Sequence, residues 1–431
     1  MTARARPLAA AAALLSGVAC SDPTQSLPLP TFTVSPAAQW SGGTVTLGSP
    51  YFVGRNPLPP IVVAAETLAA VRATDSTVQV TLPRGASGPV TLSLAHEGRV
   101  DSVASVQRYG FRERRNLAPA LASELLVADS ADHPMVLGNT DGIQWTPVGR
   151  IDLVSGVGQT FTTVVGPSNV VYGLSPSTPD GAFSVRDSTD SVRLASLLTS
   201  PPAIVGTVPF VGTGFVRQVA QLSPGIWLFT TSHTSSVRAE TDPCCLPRFS
   251  TPTESPWAVF LSPRGDRTTM AVNVAQGRVP VFDNATGDTA FTLPLQGTEG
   301  IAFSPDGTRL FAVGGYFDAD TLVAVDATTG QILAGLVGLP DNFRSFSLAY
   351  SASGGGRLLV AAANPMVLAL LVYDAATLTL QGVLATPDDC SSAPMTGTCF
   401  YGVVAVDDVR GAAHVVVPGS PTPAWTFDLL P

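Results

Sequence analysis

At 431 residues the chain exceeds one ordinary domain and is long enough for a small domain plus a large one, each with its own core. Hydrophobic residues make up 45% and charged ones 13%, while 40 Gly and 37 Pro interrupt the chain too often for long helices and favour short strands joined by turns. The formal charge is −9 and all 23 basic residues are arginine; the acidic balance disfavours a nucleic-acid partner, whose phosphates call for a basic stripe.

Residues 1–19, MTARARPLAAAAALLSGVA, set Arg4 and Arg6 ahead of an apolar run from Leu8 to Leu15 and end in small residues. The run is too short to span a bilayer and has the layout of a secretory signal peptide. With Cys20 the segment resembles a bacterial lipobox, although Gly17 stands where leucine is commonest in that pattern. The resemblance implies lipidation of Cys20 and membrane attachment through that N-terminal lipid only; plain cleavage after Ala19 is the alternative. Without the leader, 32 acidic residues face 21 basic ones. Residues 20–30, CSDPTQSLPLP, read as a short extended tether. Ser21, in place of aspartate, implies an outer-membrane address by analogy with lipoprotein sorting.

Five cysteines is an odd number, and assigning Cys20 to lipid leaves four. Cys390 and Cys399 bracket the loop CSSAPMTGTC and form the first expected disulfide; closing a loop of this size contributes about 2 to 3 kcal/mol. Cys244 and Cys245 in DPCCLP either bridge each other or pair separately with the later loop, so three connectivities stay open. No histidine lies close to either pair in sequence, which disfavours zinc.

Residues 31–111 read as strands. Alternation is clearest from Thr77 to Leu82 and from Val90 to Leu94, with PRGASGP turning the chain between them, which predicts a small β-sandwich. Ser35-Pro36, Gly42-Gly43-Thr44, Tyr51-Phe52 and the run from Leu82 to Val90 resemble the IPT/TIG immunoglobulin-like family, over about one fifth of the chain. That resemblance implies a spacer or recognition module. Residues 112–116, beginning with RERR, are expected to be a solvated linker.

From residue 117 to 431 the chain repeats itself. Ser262-Pro263 recurs at Ser304-Pro305, and Asp283 recurs at Asp326; a third copy carries Ser351 and Asp374. Each copy holds four strand-sized pieces. In the copy from Ile301, IAFS is the predicted innermost strand, PDG a tight turn, RLFAVG and TLVAVD the second and third strands, and QILAGL the outer edge. A lone four-stranded sheet exposes two apolar faces, so such units must stack around an axis. Degenerate copies on both sides, with a period of about 45 residues, make seven blades the best count, with six and eight as the alternatives because the first copies are poorly marked. The copies resemble YVTN-type bacterial β-propeller repeats and lack the Gly-His and Trp-Asp pairs of WD repeats. Ring closure is expected to pair a strand near residues 117–128 with the last blade.

Catalytic chemistry is hard to find. The four histidines fall in different repeats or domains, and no pair has ligand spacing. Asp318 and Asp320 lack the remaining ligands of a calcium site. Asp283, Asp326 and Asp374 recur, which assigns them to turns. No cofactor, metal site or catalytic residue is expected. In repeat register Glu299 and Arg344 each precede an innermost strand, so they are the charged candidates for the mouth of the central channel. The expected whole is an all-β cell-envelope lipoprotein with a non-catalytic propeller that recognises an envelope protein or a glycan. The alternative is an exported hydrolase or lactonase-like enzyme, which similar propellers house. That role would need ligands from several blades, and the predicted innermost strands are mostly apolar.

Overall fold

The computed structural model describes residues 30–64, 66–96, 99–116, 258–271, 278–315, 320–364, 367–386, 403–416 and 423–431, and between 117 and 257 the strands alone. The leader, nearly all of the tether and Cys20, Cys244, Cys245, Cys390 and Cys399 lie outside these residues. Nine strands come first: β1 (Thr33–Ser35), β2 (Ala38–Trp40), β3 (Thr44–Gly48), β4 (Ile61–Val63), β5 (Glu66–Leu68), β6 (Ala70–Thr74), β7 (Thr77–Thr81), β8 (Gly88–His96) and β9 (Arg99–Tyr109). They form two sheets, ordered β1-β3-β7-β6 and β2-β9-β8-β4-β5. Val45, Leu47, Val78 and Val80 from one sheet meet Ile61, Leu92, Leu94 and Val106 from the other, with Phe52 between them. Side chains of alternate strand residues point to opposite faces, so the predicted alternation in β7 and β8 becomes this core.

Beyond Gly110 the chain forms seven four-stranded sheets among the described residues. The innermost strands, from Glu124–Ala128 in blade one to Val403–Asp407 in blade seven, neighbour one another in sequence order, and the last returns to the first. This is a closed β-propeller. Blade five is made of Gly300–Phe303, Arg309–Gly314, Thr321–Asp326 and Ile332–Gly338, from inside to outside. Blade six is made likewise of Arg344–Ser351, Arg357–Ala363, Leu368–Asp374 and Leu380–Ala385.

Both faces of a blade are buried, and the period of two shares the side chains out. Leu310 and Ala312 pack toward blade four, on Val281 and Leu293, whereas Phe311 and Val313 pack toward blade six, on Leu358 and Val360. In blade six Leu359, Leu370 and Val372 turn to blade seven and meet Val415, Trp425 and Phe427. Each buried Leu, Val or Phe among them contributes about 1.5 to 3 kcal/mol, so a blade holds its shape only between neighbours.

Two expectations about the junction need correction. Residues 112–116 are not a linker: with Phe111 they form β10 (Phe111–Asn116), the outermost strand of blade seven, antiparallel to Pro423–Asp428. Accordingly the ring is closed by this strand and not by one in residues 117–128, where Glu124–Ala128 is the inner strand of blade one. The charge of RERR reads as a connector, but an outer edge strand tolerates charge because one edge is unpaired. The sandwich also packs directly on the propeller. Trp40 is 2% exposed and completes the core between blades six and seven, the Arg357 guanidinium lies 5.2 Å from its ring, and Gly382 makes room for it.

Candidate functional site

The two ends of the blades are built differently. At one end lie the turns. Asp283, Asp326 and Asp374 each accept two backbone N–H bonds through Oδ1, from Ala285 and Thr286, from Thr328 and Thr329 at 3.0 and 2.7 Å, and from Ala376 and Thr377. These bonds favour the carboxylate, so the N–H groups of Thr286 and Ala285 hold Asp283, and that of Thr329 holds Asp326, below the usual range. In the turn before, the Ser304 hydroxyl donates to Asp306, which together with Thr308 draws that carboxyl down to about 2. The Ala327 N–H to Thr308 C=O bond ties the two turns together. The repeated acids are therefore turn caps.

At the other end is the channel mouth. Glu299 sits in the loop entering blade five, its N–H bonded to Val313 C=O at 2.9 Å, and Arg344 opens the innermost strand of blade six. Between them is Asp320, just before the third strand of blade five and 2% exposed. One of its oxygens accepts from the Ser345 N–H and from the Ser345 hydroxyl at 2.7 Å; the other faces Arg344 Nη1 at 3.5 Å. Its own C=O accepts from Leu339 N–H, which fixes the end of the outer strand. Asp320 thus joins three strand ends across the seam between blades five and six. Burial, aided by the nearby charge of Asp320, pushes the Glu299 carboxyl up to about 7. Next to it the Thr298 hydroxyl is buried without a partner.

Below the mouth the inner strands abut. A Cβ at Gly300 would stand 2.4 Å from Leu348 N, and the Val404 N–H donates to Ser347 Oγ at 3.3 Å across the next seam. At the mouth end Arg344 keeps its side chain 44% exposed.

The repeat register brings Glu299 and Arg344 to one seam, as part of a single cluster. What it leaves out is Asp320, which reads as one more polar loop residue; Asp318 lies outside the described residues. The signal available was that Asp320 occurs in one repeat and has no counterpart before the third strand of blade six, where the chain reads PMV. Among the described residues no group of three or more His, Cys, Asp or Glu is arranged to hold a metal. His96 pairs with Asp101 at 2.7 Å in the sandwich, and His414 meets Thr426 at 3.1 Å inside blade seven.

Comparison with solved structures agrees with the fold. A chain in the crystal structure of the mitotic checkpoint complex superposes with a TM-score of 0.56 at 13% identity, over 75% of this chain and 93% of that one. The β-propeller domain of Cps50 (Swd1) from Myceliophteria thermophila gives 0.53 at 13% identity, over 73% and 99%. No protein family profile and no curated protein sequence matches the chain. At these identities the likeness establishes the propeller.

Proposed function

We propose that this chain is an exported cell-envelope lipoprotein whose propeller binds a protein or a glycan at the channel mouth, without catalysing a reaction. The observation that carries the reading is the division of labour between the two ends. The repeated carboxylates are consumed in turn caps, while Asp320, which has no counterpart before the third strand of blade six, joins Glu299 and Arg344 at one seam where the Arg344 side chain stays half-exposed among the loops. The leader, Cys20 and the resemblance of residues 31–111 to IPT/TIG modules support the envelope address and a recognition role.

A second reading has its own support: a carboxyl held near neutrality beside a second carboxylate is how a general acid or base is poised, so Glu299 could serve a hydrolase or lactonase. One set of measurements separates the two. Purified wild-type and Arg344→Glu chains are screened on a glycan array, in cross-linking capture from envelope fractions, and for turnover of a lactone and ester panel. Binding by the wild type that falls at least tenfold in the variant, with no turnover, supports the binding reading; turnover abolished by Glu299→Gln overturns it. Palmitate labelling of the wild type and its loss in Cys20→Ala test the anchor.

A further inference from the structure

The turn from Pro83 to Val90 shapes an opening in the sandwich. β8 runs nine residues, whereas β4 runs three and doubles back into β5 at Ala64, whose φ is 52°. In consequence β4 pairs with β8 only at Ile61 to Leu94 and Val62 to Ser93, with the Ala95 N–H bonded to Pro60 C=O just beyond. By the two-residue alternation of a strand, the N–H and C=O of Thr91 face the same side as those of Ala95. They open past the hairpin tip. A groove of about 770 Å³ lies there, walled by Val63, Pro83, Pro89, Val90, Thr91 and Arg108.

Arg108 places a charge in this wall. Its Nε donates to Ala86 C=O at 2.7 Å and its Nη1 to Pro83 C=O at 3.0 Å; Gly85 gives it room, since a Cβ there would stand 2.9 Å from Nη2. Among the described residues no carboxylate pairs with it, and burial pushes its pKa down. Glu66 lines the groove but is exposed and forms no ion pair with it. A partly desolvated cation with no counter-ion is poorly compensated until a ligand brings one.

We propose that this groove binds an extended peptide segment of a partner protein, which adds a strand to β8 at Thr91 and sets an acidic side chain on Arg108. Free ladder groups call for a main chain, the guanidinium for a carboxylate, and Val63, Pro83 and Val90 for an apolar neighbour. Pro89, without an N–H, keeps the open edge short and limits indiscriminate pairing. The site lies on the sandwich and stands apart from the propeller mouth.

A phage-displayed random decapeptide library panned on the immobilised full chain, in parallel with the Ala64→Asp chain, tests it. Ala64 is exposed and already at positive φ, a conformation that Asp tolerates, so the variant adds a competing carboxylate without disturbing the core. Selected peptides are expected to carry Asp or Glu beside β-branched residues. The best of them, synthesised, should bind at least tenfold more weakly to Ala64→Asp and to Arg108→Gln, and also after N-methylation of its backbone. Equal selection on both chains, selected peptides without an acid, or tight binding of the N-methylated form would overturn the proposal. So would an empty selection accompanied by binding of a glucuronate oligosaccharide, which would assign the groove to a glycan.

Discussion

At the turn end of blades four to six, Asp283, Asp326 and Asp374 perform one task three times, each folding its own hairpin with bonds that stay inside the blade. At the mouth end Asp320 performs its task once and across a seam, because its partners Arg344 and Ser345 belong to the next blade. The difference teaches that repetition marks what every blade needs for itself, whereas an unrepeated polar residue marks what one seam needs. The first kind of residue should affect stability locally and modestly. The second should couple blades and set the properties of the mouth.

Four substitutions sharpen that contrast. Gly300→Ala should have the largest effect, about 3 kcal/mol or more, because the added methyl meets the backbone of the neighbouring inner strand and not a movable side chain; urea unfolding of the two chains measures it. Asp320→Ala leaves the buried Ser345 N–H and hydroxyl without an acceptor and should cost on the order of 2 to 3 kcal/mol. Hydrogen exchange should show the loss of protection on both blades of the seam.

Glu299→Gln should act through pH. The fold keeps the Glu299 proton up to about 7, while the unfolded chain releases it near 4.5, so the native state binds more protons in that window and stability falls as pH rises through it. The variant should flatten this part of the pH profile and gain about 2 kcal/mol over the wild type above pH 7, with partial exposure limiting the size. A stability profile from pH 4 to 8 that is the same for both chains would contradict the assignment. Asp326→Ala should be smallest, about 1 kcal/mol, because the freed Thr328 and Thr329 N–H groups can turn to water; its exchange changes should stay within one hairpin.

Much of this architecture was legible because blades four and five use strict turn chemistry: a Ser-Pro ahead of the first turn, a Gly at positive φ such as Gly307 or Gly330, and an Asp that caps the next turn. Leu378 shows why the third copy is harder to read, since it takes the positive-φ position that Gly330 fills in blade five and is buried there instead. The closing strand escaped because five polar or charged residues in a row resemble a connector, and edge pairing with Pro423–Asp428 depends on a segment about 300 residues away. Trp40 escaped for a similar reason: a lone aromatic at the end of a three-residue strand fits a sandwich core as well as a domain seam. The positions of Glu299 and Arg344 followed from register, but the burial of Glu299 and the bond network of Asp320 depend on packing that only the assembled seam creates.

The central claim is that recognition belongs to the unrepeated mouth and not to the repeated turns. A photo-crosslinking amino acid placed in the full chain at position 344, at the mouth, or at position 329, in the exposed turn of the same ring, tests it in living cells. Specific adducts from position 344 with none from 329 are predicted. Adducts from 329 alone, or the same adducts from both, would contradict the account.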